Sequence, residues 1–354
     1  MYSINIYRFL LTASIAVAIT LSSCSMRTVR IQATRPADVT LPSHVDTLLV
    51  LNRTYFSSQA VGIIEGLLTG ELPGEDRAGT QAAINAFQST INYSNRFVVK
   101  NAAEIFPGNS ISRAFPEPIS WGDIENLCSK YHTNAVMAIE IYDTDFIVTD
   151  GKRLVKKEIT ENGVKKTVET NEFYAKGVGN VTIGFRIYDP VNKVILDQQL
   201  ITQSNTWETT ANSAQDALAK LIAKSDAARY ISQLAGNSYA YKIAPMPITL
   251  TRKYYKKGKN VASVATGSKQ AEVNDWAAAL ETWKGSLLQS TSDKDAARIC
   301  YNMAVAHEVL GNLEDAKLWA NKAYVEYGSK KAKKYSAILD GRIYDQNRVN
   351  EQYK

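Results

Sequence analysis

The chain has 354 residues and a net charge of +6, from 41 lysines and arginines against 35 aspartates and glutamates. This mild surplus is spread in short clusters, which argues against the concentrated basic face of a nucleic-acid-binding protein. The length suffices for two domains of ordinary size, and the three cysteines and three histidines show no zinc-ligand spacing.

The first 23 residues have the pattern of a secretory signal. Arg8 is the only charged residue before Cys24, and residues 9–21 are almost wholly apolar or small. A basic head, an apolar core of about a dozen residues and a small-residue exit are typical of an export signal. The apolar core is too short to span a bilayer, which requires about 20 residues. We therefore expect residues 1–23 to be a signal peptide.

The exit from this segment, Leu21-Ser22-Ser23-Cys24, resembles the bacterial lipobox. The resemblance implies cleavage before Cys24, a diacylglyceryl thioether on the Cys24 sulfur and acylation of the new amino terminus. Several acyl chains together anchor a protein stably on a membrane. The alternative is an ordinary secretory signal with an incidental cysteine.

The residues after Cys24 indicate which membrane is involved. Ser25 stands where an aspartate would retain a proteobacterial lipoprotein at the inner membrane, and residues 26–35 are basic. Some Bacteroidetes lipoproteins use an acidic run here for export to the cell surface, and this chain lacks one. The pattern favours the periplasmic face of the outer membrane. Residues 24–44 show no helical or strand period, so we expect them to form a lipidated tether.

Residues 45–245 alternate between predicted strands and helices. The strand at 45–54 is rich in β-branched residues and leucines, which is typical of a buried strand. Asn162-Gly163 separates two alternating stretches and predicts a hairpin over 154–170. The other predicted elements are helices at 57–68, 76–94, 120–133 and 213–235, and strands at 96–101, 134–150, 178–190 and 193–208. This order predicts an α/β domain with a mixed sheet and flanking helices.

The segments "VDTLLVLNRT", "RFVVKN", "NAVMAIEIYDTD" and "VTIGFRIYDPVNKVILDQQL", with helices between them, resemble the TolB amino-terminal fold. That fold also occurs in the curli-secretion channel lipoprotein and in a lipoprotein activator of penicillin-binding proteins. No catalytic motif accompanies the resemblance. The whole chain also resembles a Bacteroidetes lipoprotein family, a domain of unknown function with a helical repeat tail.

Residues 246–259 carry a proline, a short β-branched run and a basic stretch, and we interpret them as a linker. Residues 296–328 then resemble the tetratricopeptide pattern, and the same frame recurs 37 residues earlier. Two repeats are therefore expected, at about 260–290 and 296–328, with a capping helix that completes the 260–354 tail.

Small residues at the repeat positions would let two antiparallel helices approach closely, and Gly311 would allow the turn between them. The expected packing residues of the two repeats are Gly267, Trp276, Ala279, Trp283, Asn302, Ala304, Gly311, Ala316, Ala320 and Ala323.

Few residues suggest chemistry. No phosphate-binding loop, dinucleotide fingerprint, zinc-protease motif or nucleophile elbow is present, and no cofactor or metal site is expected. Glu140, Asp143 and Asp145 could supply an acid–base pair, although a solvated strand end explains them more simply. Each histidine (His44, His132 and His307) also has a structural explanation. Tyr239, Tyr241, Tyr254, Tyr255, Trp276 and Trp283 could form an aromatic cleft for glycan or peptide, or simply a core.

These observations lead to three hypotheses. The first is a non-catalytic envelope lipoprotein that binds an envelope protein through its domains, with the inner face of the repeats as the best partner surface. The second is a glycan- or nutrient-binding outer-membrane lipoprotein. The third is a hydrolase built on residues 140–145, whose activity Asp143→Asn would abolish.

Overall fold

The computed structural model describes residues 26–354 except for 55–74, 105, 107, 109–113, 162, 289 and 291. The signal segment, Cys24 and the helix predicted at 57–68 lie outside the described residues. The chain divides into two compact units. The α/β unit comprises Pro36–Met246 with Gln352–Lys354, and the helical unit comprises Pro247–Glu351 with the segment that ends at Arg35. An α/β domain is thus followed by a helical region.

The α/β unit is built on a five-stranded mixed sheet in the order β3-β2-β4-β5-β6. Its strands are β2 (Thr47–Asn52), β3 (Val98–Asn101), β4 (Ala135–Glu161), β5 (Val164–Asp189) and β6 (Val194–Ala211). Strand β2 is parallel to both β3 and β4, whereas β4, β5 and β6 are antiparallel. The four central residues of β2 are all buried, because both faces of this part of the sheet are covered.

Helices cover the two faces unequally. On one face, α1 (Glu75–Ile91) and α4 (Lys224–Ile243) contribute to a core with Leu48 and Val50 of β2. On the other, α2 (Trp121–Tyr131) packs against Leu49 and Leu51. Ser120 caps α2, since its side chain accepts a hydrogen bond from the Asp123 N–H.

Strands β4 and β5 form one long hairpin. The register runs from Val136 opposite Tyr188 to Glu161 opposite Val164, with a bulge between Ile139 and Ile141. Gly163 has φ +81° at the turn, a conformation that glycine adopts without steric cost. The predicted hairpin is confirmed, but it is longer than expected, because the strand predicted at 134–150 continues without a break into its first arm.

The single helix predicted at 213–235 is wrong. The structure has a short α3 (Ala214–Lys220), an extended link and then α4. The Thr209 hydroxyl donates to the Ala217 carbonyl at 2.7 Å, and the Leu221 N–H, which a continuing α-helix would direct there, donates to Leu218 instead. The apolar period continues across this break and therefore did not indicate it.

The helical unit contains two helical hairpins and a long last helix. Its helices are α5 (Ser263–Glu272), α6 (Trp276–Leu288), α7 (Asp293–Val309), α8 (Leu313–Val325) and α9 (Lys330–Gln352). Gly311, with φ +85°, lies in the turn between α7 and α8. None of the helices in the described part of the chain is long and apolar enough to cross a membrane.

Two segments without expected regular structure are strands. β1 (Met26–Arg35) lies in the predicted tether, and β7 (Met246–Tyr255) lies in the predicted linker; the two form a separate two-stranded sheet. The tether and linker expectations are corrected accordingly. Each strand is too weakly apolar to be recognised alone, and each is stabilised by a partner far away in sequence.

Candidate functional site

Glu140, the first of the three carboxylates considered for catalysis, is fully buried in an ionic cluster. It lies at the bulge of β4, close to the end of the parallel strand β2. One carboxylate oxygen is 2.7 Å from Arg53 Nη1, and the other is 2.7 Å from Arg186 Nη1. Tyr188 also donates its hydroxyl to Glu140, and burial raises the pKa of Tyr188, so the hydroxyl keeps its proton.

The two arginines also hold the segment before α2. Both terminal nitrogens of Arg53 donate to the Glu117 carbonyl at 3.2 Å, and Arg186 donates to the Pro116 carbonyl at 3.1 Å. The Arg186 guanidinium lies 4.9 Å from the centre of the Phe115 ring. The cluster therefore fixes a loop against the ends of the strands, which is a structural role.

The other two carboxylates do not join this cluster. Asp143 lies opposite Thr182 and is partly exposed, and Asp145 lies opposite Asn180 and is exposed. The Glu140 side chain has no exposed surface, and each of its two oxygens is already paired with a guanidinium. This arrangement favours the structural interpretation of Glu140 over a general acid–base pair.

The helical unit holds an extended segment of its own chain on α7. The Asn302 side chain accepts a hydrogen bond from the Tyr255 N–H at 2.6 Å and donates to the Tyr255 carbonyl at 2.9 Å. Two helical turns earlier on the same face, Asp295 accepts the N–H groups of Lys259 and Asn260 at 2.7 and 2.8 Å. The end of β7 and the residues after it are thus bound through their backbone.

Glu308, near the end of α7, completes this arrangement. It is buried and receives Arg252 Nε and Nη2 at 2.7 and 2.8 Å, a bidentate pair, together with the Tyr335 hydroxyl. Burial and the charge of Glu308 raise the pKa of Tyr335, which therefore remains a donor. Sequence reasoning missed these partners, because Arg252 and Glu308 are 56 residues apart and carry no local signal.

Two cavities of about 550 Å³ lie within the helical unit. The first is lined in part by Arg27, Arg30, Tyr254, Glu272 and Trp276. The second is lined in part by Tyr255, Lys294, Arg298, Tyr327 and Lys331. In the described part of the chain, no group of three or more histidine, cysteine, aspartate or glutamate side chains could hold a metal ion.

The expected repeat residues have the following places. Gly267 is buried in α5, and Gly311 is exposed in its turn. The other expected residues are all buried: Trp276, Ala279, Trp283, Asn302, Ala304, Ala316, Ala320 and Ala323. A Cβ at Gly267 would lie 2.5 Å from Trp283 Nε1, so glycine is required for this contact between α5 and α6. Cys24 lies outside the described residues.

The three histidines occupy separate places. His44 Nε2 is 3.1 Å from the buried Asp189 carboxylate. Burial alone would raise the pKa of Asp189, but hydrogen bonds, first from Asn192 and then from His44, hold it below its usual value.

His132 ends α2 in the left-handed conformation. Burial lowers the pKa of His307, whose Nδ1 lies 3.8 Å from Asp315.

The aromatic residues considered as a cleft belong to two different cores. Tyr239 stacks on Phe185 at 4.1 Å in the α/β unit, while Tyr241 is exposed. In the helical unit, the Tyr254 ring lies 5.3 Å from Trp276 and 6.3 Å from Trp283. The core interpretation explains these contacts.

Both described cysteines, Cys128 and Cys300, are free and buried. Burial raises the pKa of Cys128, and it raises the pKa of Cys300 to about 12. Both side chains are therefore thiols at neutral pH, and neither is activated as a nucleophile.

Comparison with protein families gives two matches. Residues 45–255 match the family described as Domain of unknown function (DUF8603), which covers more than half of the chain. The chain belongs to the DUF8603 family. Residues 265–341 match Domain of unknown function (DUF6340). The DUF8603 match ends at Tyr255, the last residue of β7, so it includes the strand that α7 binds.

The solved structures that match include two PelC dodecamers from Paraburkholderia phytofirmans, one of them a variant with a single leucine-to-methionine substitution. Each is 12% identical in sequence to this chain, and each match covers 61% of this chain and 99% of the PelC chain. The TM-score is 0.22 for the variant and 0.21 for the other structure. At these scores the likeness carries no argument about fold, assembly or function. No curated protein matches the DUF8603 chain.

Proposed function

We propose that this chain is a non-catalytic lipoprotein of the cell envelope that acts as a protein–protein interaction or assembly module. It is held by lipid on Cys24 at the periplasmic face of the outer membrane. The proposal includes a TolB-amino-terminal-like fold for the α/β unit, tetratricopeptide-like repeats in the helical unit and a Bacteroidetes-type lipoprotein family. The lipobox-like exit of the first segment and the lack of a catalytic motif support it.

One observation carries the interaction role: α7 binds an extended backbone through its side chains. Asn302 pairs with both backbone groups of Tyr255, and Asp295 binds two further N–H groups. Helical repeats recognise extended peptide partners through such surfaces. Because β7 already occupies this face of α7, an external partner would have to bind elsewhere on the helical unit.

The exposed apolar residues of α8 are the surface that we propose for this partner. Leu318 is 61% exposed and Val325 is 78% exposed. They are seven residues apart, or about two helical turns, and therefore lie on one face of the helix. Large apolar side chains that remain in water on one face are typical of interaction surfaces.

The test is in-cell crosslinking and pulldown of the full, lipidated chain. We expect one envelope protein in stoichiometric amount, which the double variant Leu318→Glu/Val325→Glu loses. The matched control is Leu154→Glu/Val164→Glu, at positions 70% and 59% exposed on the long hairpin. A partner retained by both double variants would rule out the α8 surface, and recovery of only lipid and glycan would rule out the adaptor.

The alternative function is glycan or nutrient binding, and the first cavity is the observation that favours it. Its lining combines arginine, asparagine and aromatic side chains, which are groups that bind sugars. However, Tyr254 and Trp276 are only 2% and 4% exposed, so they present little ring surface to a ligand. Calorimetry against a glycan panel, with Arg30→Ala as the variant, separates the two functions.

A further inference from the structure

We propose that the second cavity of the helical unit is a binding site for the phosphate of an anionic lipid headgroup in the membrane that anchors the chain. This inference rests on the proposed lipid anchor at Cys24.

The second cavity is lined by more basic than acidic side chains. Lys294, Arg298 and Lys331 line it, and Asp293 is the acidic residue among the lining side chains. Arg298 also lies 3.4 Å from the buried Asp295, whose carboxylate is already engaged with two backbone N–H groups. Counting both aspartates, three positive charges face two negative ones. Within the described part of the chain, the exposed Lys294 and Lys331 form no ion pair with a carboxylate.

The cavity also has a suitable size and an aromatic wall. Its volume of about 550 Å³ is within the range of small-ligand sites. Arg298 and Lys331 lie 5.4 and 5.6 Å from the centre of the Tyr255 ring, so both cations are close to one aromatic side chain of the lining. Tyrosines together with lysines and arginines are the residues that proteins place at the headgroup layer of a membrane.

Chain connectivity brings this cavity to the membrane. Lys331 Nζ is 3.7 Å from the sulfur of Met26, the first residue of β1. Met26 is two residues after Cys24, so the two α-carbons are at most about 7 Å apart. β1 is paired with β7 inside the helical unit, and no long tether separates the anchor from this unit. An acyl chain on Cys24 would therefore hold the cavity at the depth of the lipid phosphates.

The experiment measures headgroup binding without the acyl anchor. The mature chain, residues 24–354 with Cys24→Ala, is mixed with phosphatidylcholine vesicles that contain or lack phosphatidylglycerol, and bound protein is measured by flotation. A parallel calorimetric titration uses glycerol phosphate. We expect binding only to the phosphatidylglycerol vesicles, with an affinity that falls as salt rises, because ions screen the contact.

The test variant is Lys294→Ala/Lys331→Ala, and both side chains are exposed, so the fold is expected to be retained. Each basic residue near an anionic surface contributes about a fivefold factor, so the double variant should bind about 25-fold more weakly. The charge-matched control, Lys284→Ala/Lys317→Ala, removes two lysines of the same unit outside the cavity. It should lose much less.

Equal losses in both double variants, or binding independent of phosphatidylglycerol, would overturn the site. Binding of glycerol phosphate without binding to vesicles would assign the cavity to a free phosphate ester and refute the membrane role. The anchor is tested separately, by metabolic palmitate labelling of the wild-type chain. Labelled protein with no headgroup binding refutes the cavity site alone. Unlabelled protein refutes the anchor, and with it the membrane role inferred for the cavity.

Discussion

Two fully buried carboxylates, Glu140 and Glu308, pair with arginines. Glu140 is the counter-charge shared by Arg53 and Arg186, and Glu308 pairs with Arg252, in each case with the carboxylate fully buried. Removing one partner of a buried ion pair leaves an uncompensated charge, which is strongly destabilising. These sites are therefore sensitive to substitutions that change charge but hardly change volume.

Glu140→Gln should lower the free energy of unfolding by about 3–5 kcal/mol, because both arginines lose their counter-charge in a buried site. Urea unfolding of the full chain measures the change. Asp145→Asn, the same kind of substitution at an exposed position of β4, should stay within about 0.5 kcal/mol of wild type. Equal effects of the two variants would contradict the structural role of the cluster.

Gly267→Ala should destabilise the helical unit by about 1–3 kcal/mol, since the new methyl group would lie 2.5 Å from Trp283 Nε1. Gly285→Ala is the matched control in α6, where the added Cβ would meet no side chain of the other described elements within 4 Å. That change should stabilise by about 0.5–1 kcal/mol through helix propensity. Thermal unfolding of the two variants should move in opposite directions.

His307 makes the helical unit sensitive to acid. Burial lowers its folded pKa below the unfolded value of about 6.5, so the unfolded state binds more protons. Above the unfolded pKa, the neutral His307 does not reduce the free energy of unfolding. As the pH falls from about 6.5 toward the lower folded pKa, protonation of the unfolded state lowers the free energy of unfolding. His307→Gln should flatten the pH dependence of the unfolding free energy in this window, and an unchanged slope would show that His307 does not cause it.

At the scale of elements, side chains of α7 decide where β7 lies. Asn302 and Asp295 of α7 bind the backbone at the end of β7 and of the residues that follow it. Strand β1 then pairs with β7. The two strands are therefore stabilised by contacts with a helix and not by pairing within a large sheet. Isolated two-stranded sheets are marginal in water, so the contacts with α7 account for their order.

Asn302→Ala should release this sheet locally. The Tyr255 N–H and carbonyl would lose their partner, which costs about 1–3 kcal/mol for each buried group left unpaired. Hydrogen exchange should accelerate in β1 and β7 while the helices retain protection. Asn350→Ala on the exposed side of α9 is the control, and equal exchange in both variants would contradict this account.

The sequence predicted elements with strong local signals and missed those that depend on distant partners. The run of β2, the Asn-Gly hairpin and the capped helix α2 each follow from neighbouring residues. In β1, the half-buried Val29 and the buried Ile31 alternate with exposed residues, but the arginines among its ten residues hide this pattern. The Arg53–Glu140 pair joins residues 87 apart, and no periodicity reveals it.

At the scale of the whole molecule, the division between the units differs from the linear domains read from the sequence. The helical unit takes its strands from outside the predicted 260–354 tail, including one from the start of the described chain. A fragment that begins at residue 260 lacks the Tyr255 backbone bound by Asn302, the Arg252 side chain bound by Glu308 and one of the two N–H groups bound by Asp295. Its buried polar side chains would be left without their native partners.

We therefore expect a fragment of residues 260–354 to unfold at a lower temperature than one of residues 247–354, which keeps β7. Circular dichroism melts of the two fragments measure the difference. Adding β7 restores the partners of Asn302 and Glu308, and each restored buried polar contact is worth about 1–3 kcal/mol. Identical melting temperatures would show that the helices need no strand.

The pairing of β1 with β7 also sets an order of events as the chain folds. Gln32 contacts Thr249 across a separation of 217 residues, with the whole α/β sheet between them in sequence. The α/β unit can form as soon as its own strands and helices are available, whereas β1 must wait for β7 and for the helix that binds it. Contacts of such long range form slowly, because the chain must close a large loop first. β1, at the start of the described residues, would thus be among the last segments to become ordered, although it is among the first to be synthesised.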